Sequence, residues 1–396
     1  MLFTKAFFPL LDNDSEILYF DSAASTQTHS MVLESMDKYY RTYRANCNRG
    51  SHVLGDQTNE AVYNARQQVA DFLSTQSENI IFTSGATESL NMVAKWNEHV
   101  DTVIITNVEH HANIIPWLEQ NRTVSNGRLA ILEVEEDGSI DLEKADKLFS
   151  KHPGCLLSMT SASNVLGNYL PWETLSHIAH SYGISVCMDF CQSASHHRID
   201  LDHNDIEWAC FSGHKMYGPT GVGVLWTKFD PGELKSLKYG GGAVYSVTYD
   251  KVIYADDYTK HEPGTPNIAG MIGLGTACEL IAYDRENITS KEHQLETHLL
   301  QQGIHNIPGL KFVNVFRDNV LANPIFTFVP SIHSEDIAQH LTYTKTCIRT
   351  GNMCAHPIAN KLSPRGLVRV SIAPYNTFED CDALISQLTT LMNKLI

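Results

Sequence analysis

The chain contains no run of about eighteen apolar residues, which excludes a membrane-spanning helix. It has no Lys/Arg cluster, and its formal net charge is −16, so the basic footprint of a nucleic-acid binder is missing. Its nine cysteines are odd in number and lack framework spacing. That argues against a disulfide scaffold and for free thiols in a reducing cytoplasm. Internal repeats and low-complexity linkers are absent. The first seventeen residues are apolar, but they meet acid by Asp12 and have no small-residue cleavage site. They read as a helix or arm packed on the body rather than a signal peptide.

What is present is ample apolar material, 43% of 396 residues, enough for one large α/β domain and a smaller one. Short apolar runs alternate with helical patterns. The runs Ile80–Thr83, Thr102–Thr106, Leu156–Thr160, Ser185–Asp189, Trp208–Ser212 and Val222–Trp226 read as strands, with helices such as Thr87–Trp96 and Thr174–Ser181 between them. The alternation predicts a mainly parallel sheet covered by helices on both faces. Several runs are continuously apolar, as strands buried on both faces are. Gly240-Gly241-Gly242 and Pro263-Gly264-Thr265-Pro266 read as loops, followed by a helix from about Ile268 to Tyr283. The division falls near residue 262: an N-terminal arm and large domain over 1–262, and a small C-terminal α+β domain over 263–396.

In open α/β sheets ligands bind beyond the carboxyl ends of the strands. The unusual polar residues gather there. Ser84-Gly85-Ala86-Thr87 follows the first strand, Glu109-His110-His111 the second, and Ser163-Asn164 the third. Asp189 closes the fourth with Gln192 just beyond, and Ser212-Gly213-His214-Lys215 follows the fifth. Ser84–Thr87 is either a phosphate cradle at a helix start or a plain cap with Thr87 as the capping residue. Lys215 is either a surface lysine or an amine whose cleft suits it to a Schiff base. Asp189 ends an apolar strand, where a carboxylate calls for a cationic partner such as a pyridinium nitrogen; the alternative is a structural cap. Cys187, Cys191, His196 and His197 crowd together, but C-x3-C-x4-H-H departs from structural zinc spacings, so no metal is expected.

Together these residues resemble the fold type I pyridoxal-phosphate (PLP) enzymes of the class V aminotransferase type, and specifically cysteine desulfurases of group II, the Suf/Csd type. The resemblance runs from Leu18-Tyr19-Phe20-Asp21-Ser22-Ala23-Ala24 to Ala373-Pro374-Tyr375-Asn376-Thr377, and is most specific over Phe211–Gly221. It implies that Lys215 holds the cofactor and moves protons, and that His110 stacks on its ring. Asp189 would pair with the pyridine nitrogen and Gln192 with the phenolic oxygen. Thr87, Ser212 and His214 would hold the phosphate. Gly264 and Thr265 would reach the neighbouring subunit's phosphate in a homodimer. Asn164 and Arg369 would bind the substrate carboxylate. Ile348–Pro357 resembles the desulfurase R-x-G-x-x-C-A-x-P loop, in which Cys354 accepts sulfur, Gly351 frees the backbone and Arg349 helps set the thiol's surroundings.

The implied reaction converts L-cysteine to L-alanine and an enzyme persulfide, for onward transfer to an acceptor protein, as in iron–sulfur cluster assembly. Selenocysteine lyase and cysteine sulfinate desulfinase are the alternatives on this scaffold. A non-catalytic scaffold would not need the full set of cofactor residues. The chain departs from the pattern at Met353, where His commonly precedes the cysteine, at Asn48 before Arg49-Gly50, where His is usual, and at Phe190-Cys191, where Gly-Ala is typical.

Overall fold

The computed structural model describes residues 1–47, 51–123, 128–135, 137–202, 204–313 and 323–396. The departure at Asn48, with Arg49 and Gly50, lies outside the described residues. Seven strands form the central sheet, in the order Ile80–Thr83, Gly223–Thr227, Trp208–Ser212, Ser185–Asp189, Leu156–Thr160, Thr102–Thr106, Arg128–Leu132. The last five of these run parallel. Gly223–Thr227 runs against both its neighbours. Two reversals restore the direction, so Ile80–Thr83 ends at the same edge of the sheet as Trp208–Ser212. All five expected polar ends therefore lie on one side.

The sequence missed Arg128–Leu132. Only Leu132 of that strand is buried, so its edge position left no continuous apolar run to read. The other six strands match expectation to within one residue.

Gly223 is required by close approach. A Cβ there would lie 2.5 Å from the Gly85 Cα and 2.7 Å from the Phe211 carbonyl oxygen. The backbone of the turn after Ile80–Thr83 thus rests directly on Gly223. Gly223→Ala is expected to cost about 1–3 kcal/mol through overpacking. A chemical-denaturation midpoint equal to that of the wild type would show that the turn can yield.

A second sheet of four antiparallel strands has the order Leu310–Phe312, Ile325–Pro330, Leu367–Ser371, Arg349–Gly351. The N-terminal segment joins it. Leu18–Tyr19 pairs in parallel with Thr346–Cys347, and Asp21 bridges to Ser371. Ahead of that pair, Phe3, Phe8 and Leu11 are buried in the main core, the packed arm that the sequence predicts. The helix expected to stop near Tyr283 instead runs from Ile268 to Gln301. The polar stretch Asp284-Arg285-Glu286-Asn287 looks like an exit in sequence, but Asp284 is buried and Arg285 half-buried, while Glu286 and Asn287 face solvent. Asp284 accepts the Leu2 N–H at 2.5 Å, and Arg285 donates to the His197 carbonyl. At 1.5 Å per residue the helix is about 50 Å long. Met271, Leu274 and Ile288 pack in the core of the large sheet, and Leu295 and Leu299 in that of the small one.

Candidate active site

Ala86–Trp96 starts beyond the carboxyl end of the first strand, and its cap residue is Gly85, not Thr87. Gly85 has no side chain to accept from the free N–H groups. The Ser212 Oγ, from two strands away, accepts the Ala86 N–H at 2.9 Å. Thr87, one residue into the helix, is exposed and lines the same cleft as Ser212 and His214. Burial holds the His214 pKa down at about 4, so its imidazole is neutral at physiological pH. Its Nδ1 lies 3.3 Å from the Ser25 Oγ.

The cleft has a volume of about 170 Å³. Lys215, Asp189, His110, Asn164, Arg349, Arg369 and Cys354 also line it. Lys215, half-buried in the turn Gly213–Lys215, makes no hydrogen bond or ion pair with any described residue. Asp189 is buried at the end of its strand, and its carboxylate accepts the Cys191 N–H at 2.9 Å. It has no ion-pair partner among the described residues, so its charge is left to be met from within the cleft.

His110 is held by the loop that carries it. The buried Glu109 carboxylate accepts from the Thr106 hydroxyl at 2.6 Å, the Asn113 amide at 2.7 Å and the Thr160 N–H at 2.9 Å. Burial raises the Glu109 pKa to about 7. His110 Nδ1 accepts the Ala112 N–H at 3.1 Å, which places the proton of the neutral ring on Nε2. Burial, then the charge of Lys215, lowers its pKa to about 4.

Arg369 is buried. It donates to the Asn164 carbonyl at 2.7 Å and to Asp21 Oδ1 at 3.0 Å, while its buried Nε has no hydrogen-bond partner. Asp21 Oδ2 also faces Arg349 at 3.7 Å. In sequence, Asp21 sits within the motif Leu18–Ala24 with no role of its own. It bridges both arginines, and the signal was an acid beside an apolar strand.

The cysteine loop enters the cleft from the small sheet. Of the nine cysteines, Cys354 alone is exposed, and none is in a disulfide. Gly351 has φ +96°, and Met353 and Cys354 have φ of 51° and 53°. Such backbone costs roughly 1–2 kcal/mol per non-glycine residue. Met353, the departure from the usual His, is 7% exposed and anchors the loop in the main core. Its carbonyl accepts from Asn164 Nδ2 at 2.8 Å.

Some expected residues fall elsewhere. Gln192 lines a small adjoining cavity rather than the cleft, and its amide donates to the Ala23 carbonyl at 2.9 Å. Gly264 and Thr265 are exposed and outside the cleft. The departures at Phe190 and Cys191 are filled by packing. Phe190 meets Trp172 edge-on at 5.1 Å, and Cys191 lines the cleft as a thiol that burial pushes far above its usual pKa. His196 is taken up by Glu292 at 2.8 Å. No group of three or more His, Cys, Asp or Glu among the described residues is arranged to hold a metal ion.

The class-V aminotransferase pattern matches residues 18–384. A cysteine desulfurase of Synechococcus elongatus is 36% identical over 96% of this chain; the chain spans 62% of that protein's length. A probable cysteine desulfurase of Halalkalibacterium halodurans is 35% identical over 97% of this chain and 96% of its own. Among solved structures, a cysteine desulfurase of Thermococcus onnurineus superposes with a TM-score of 0.89 at 30% identity, covering 99% of this chain and 98% of that one. The desulfurase CsdA of Escherichia coli gives 0.87 at 30% identity, with the same coverage. No helix among the described residues is long and apolar enough to cross a membrane. With near full-length relatives of this kind, the chain belongs to the class-V aminotransferase family, among its cysteine desulfurases.

Proposed function

We propose that this protein converts L-cysteine to L-alanine and receives the sulfur on Cys354, in the manner of group II desulfurases. The observation that carries the reading is the meeting of Cys354, the one exposed thiol, with the unpartnered amine of Lys215 in a single cleft.

The donor set fits PLP. The buried Asp189 carboxylate matches a pyridinium nitrogen, Lys215 a carbonyl carbon, and Ser212 and the neutral His214 a phosphate. Thr87, at the start of the helix, adds to the phosphate end. Bound there, the cofactor supplies an electron sink for the pair left when the substrate Cα loses its proton. Lys215 is the base that takes that proton and returns one. The faces of the neutral His110 ring suit a stack, and Gln192, which gives one amide N–H to the Ala23 carbonyl from the adjoining cavity, is assigned to the phenolic oxygen through its other N–H. Asn164 and Arg369 orient the substrate carboxylate, for which the spare N–H groups of Arg369 are suited.

Cys354 then acts as nucleophile. An S–S bond forms between its sulfur and the substrate's as the Cβ–S bond breaks. The electron pair of that bond stays with the carbon skeleton, and a proton delivered at Cβ completes alanine. Arg349, from the strand that leads into the cysteine loop, lines the same cleft. The persulfide on an exposed loop is open to a sulfur-acceptor protein, and the free thiols of the chain suit a reducing cytoplasm. Gly264 and Thr265, exposed and outside their own cleft, are assigned to the partner's phosphate in a homodimer.

Alanine released from L-cysteine in the presence of a reductant tests the reading. Turnover on cysteine above that on selenocysteine and cysteine sulfinate is expected. The reverse order would reassign the substrate, and no alanine from cofactor-loaded protein would refute it.

A further inference from the structure

The carbonyls of the cysteine loop are gripped from the large sheet. Asn164 holds that of Met353, and the His111 backbone N–H donates to that of Cys354 at 2.7 Å. The next residues begin the helix His356–Leu362, whose cap residue, Ala355, has no side-chain acceptor. The His356 N–H meets His111 Nε2 instead, at 3.1 Å, and His356 Nδ1 lies 2.8 Å from the same nitrogen. The two rings stack, with centroids 4.7 Å apart and planes 10° apart.

We propose that His111 and His356 are a positioning pair that fixes the Cys354 loop against the loop carrying His110, with His111 Nε2 as the acceptor that Ala355 lacks. Its consequence for sulfur transfer rests on the desulfurase reading. For Nε2 to accept, His111 must be neutral with its proton on Nδ1, and His356 donates through Nδ1–H. Protonating His111 turns an N–H toward two other donors and opens the pair. Burial, followed by the charge of His356, holds the His111 pKa below its ordinary value, so the closed state persists at neutral pH. The other titratable groups nearby are His110, with its ring centroid 6.3 Å away, Cys354 in the loop, and Lys361 further along the helix, which faces Glu133 at 3.9 Å.

The test compares His111→Phe, which keeps the stack without the acceptor, with His111→Gln, which supplies an acceptor that does not titrate. Both are measured as cofactor-loaded enzyme. In His111→Phe, residues 351–358 are expected to exchange hydrogen about tenfold faster. The kcat for alanine release falls roughly tenfold at unchanged KM and cofactor absorbance. His111→Gln restores both and flattens the acid limb of the wild-type kcat profile. Unchanged exchange in His111→Phe, or a glutamine variant as impaired as the phenylalanine one, overturns the pairing. Exchange does not depend on turnover, so a wild type that makes no alanine sinks the desulfurase reading while exchange still decides the pairing.

Discussion

Cys354→Ala will lower alanine release from L-cysteine by roughly a thousandfold or more while cofactor absorbance stays at the wild-type level. The size follows from removing a nucleophile for which the cleft has no substitute. Cys191 also lines the cleft, but it is buried and its thiol is held protonated. Cys347 is half-buried, and its Sγ faces the Lys345 carbonyl at 3.9 Å. The remaining thiols are buried. The variant folds, because Cys354 is exposed and the loop's grip is through the backbone and Met353. Labelling of persulfide in wild type and variant checks this. A persulfide trapped on another residue of Cys354→Ala would overturn the assignment.

Lys215→Ala acts earlier. The variant is expected to lose the visible absorbance of lysine-linked PLP and to release alanine at least roughly a thousandfold more slowly. The amine has no structural duty, since it bonds to no described residue, so unfolding is not expected. The two variants separate two roles. Lys215→Ala retains a Cys354 that a persulfide donor can load, whereas Cys354→Ala retains the cofactor linkage and cannot be loaded. Wild-type absorbance in Lys215→Ala would place the linkage on another amine.

Sequence patterns make the sheet legible because six of its strands are almost wholly buried and mainly apolar. The site was legible because polar residues cluster at strand ends, as Asp189 and Lys215 do. Long-range geometry was not. The capping of Ala86 by Ser212, and the meeting of His111 with His356, bring together residues far apart in the chain. No local period encodes such pairs. Asp21 stayed hidden for the same reason, since only folding sets it between Arg349 and Arg369. Thr87 looked like a cap because threonine often is one, yet the turn took Gly85 and borrowed a hydroxyl from another strand. The helix beyond Tyr283 is not legible because Asp284 and Arg285, drawn inward by Leu2 and His197, stand beside exposed polar residues in a run that mimics a surface exit.

The reversed strand Gly223–Thr227 also governs when the site can come into being. Ile80–Thr83 has no partner in the sheet until Gly223–Thr227 arrives beside it. On a growing chain, the turn at Gly85 must therefore wait for the whole stretch between them to be synthesised. Joining strands so distant is slow, because the entropy of closing the intervening loop is paid before the contacts form. The cradle proposed for the cofactor is thus expected to be a late product of folding. Cofactor uptake is therefore expected to follow completion of the sheet at its Gly85 end.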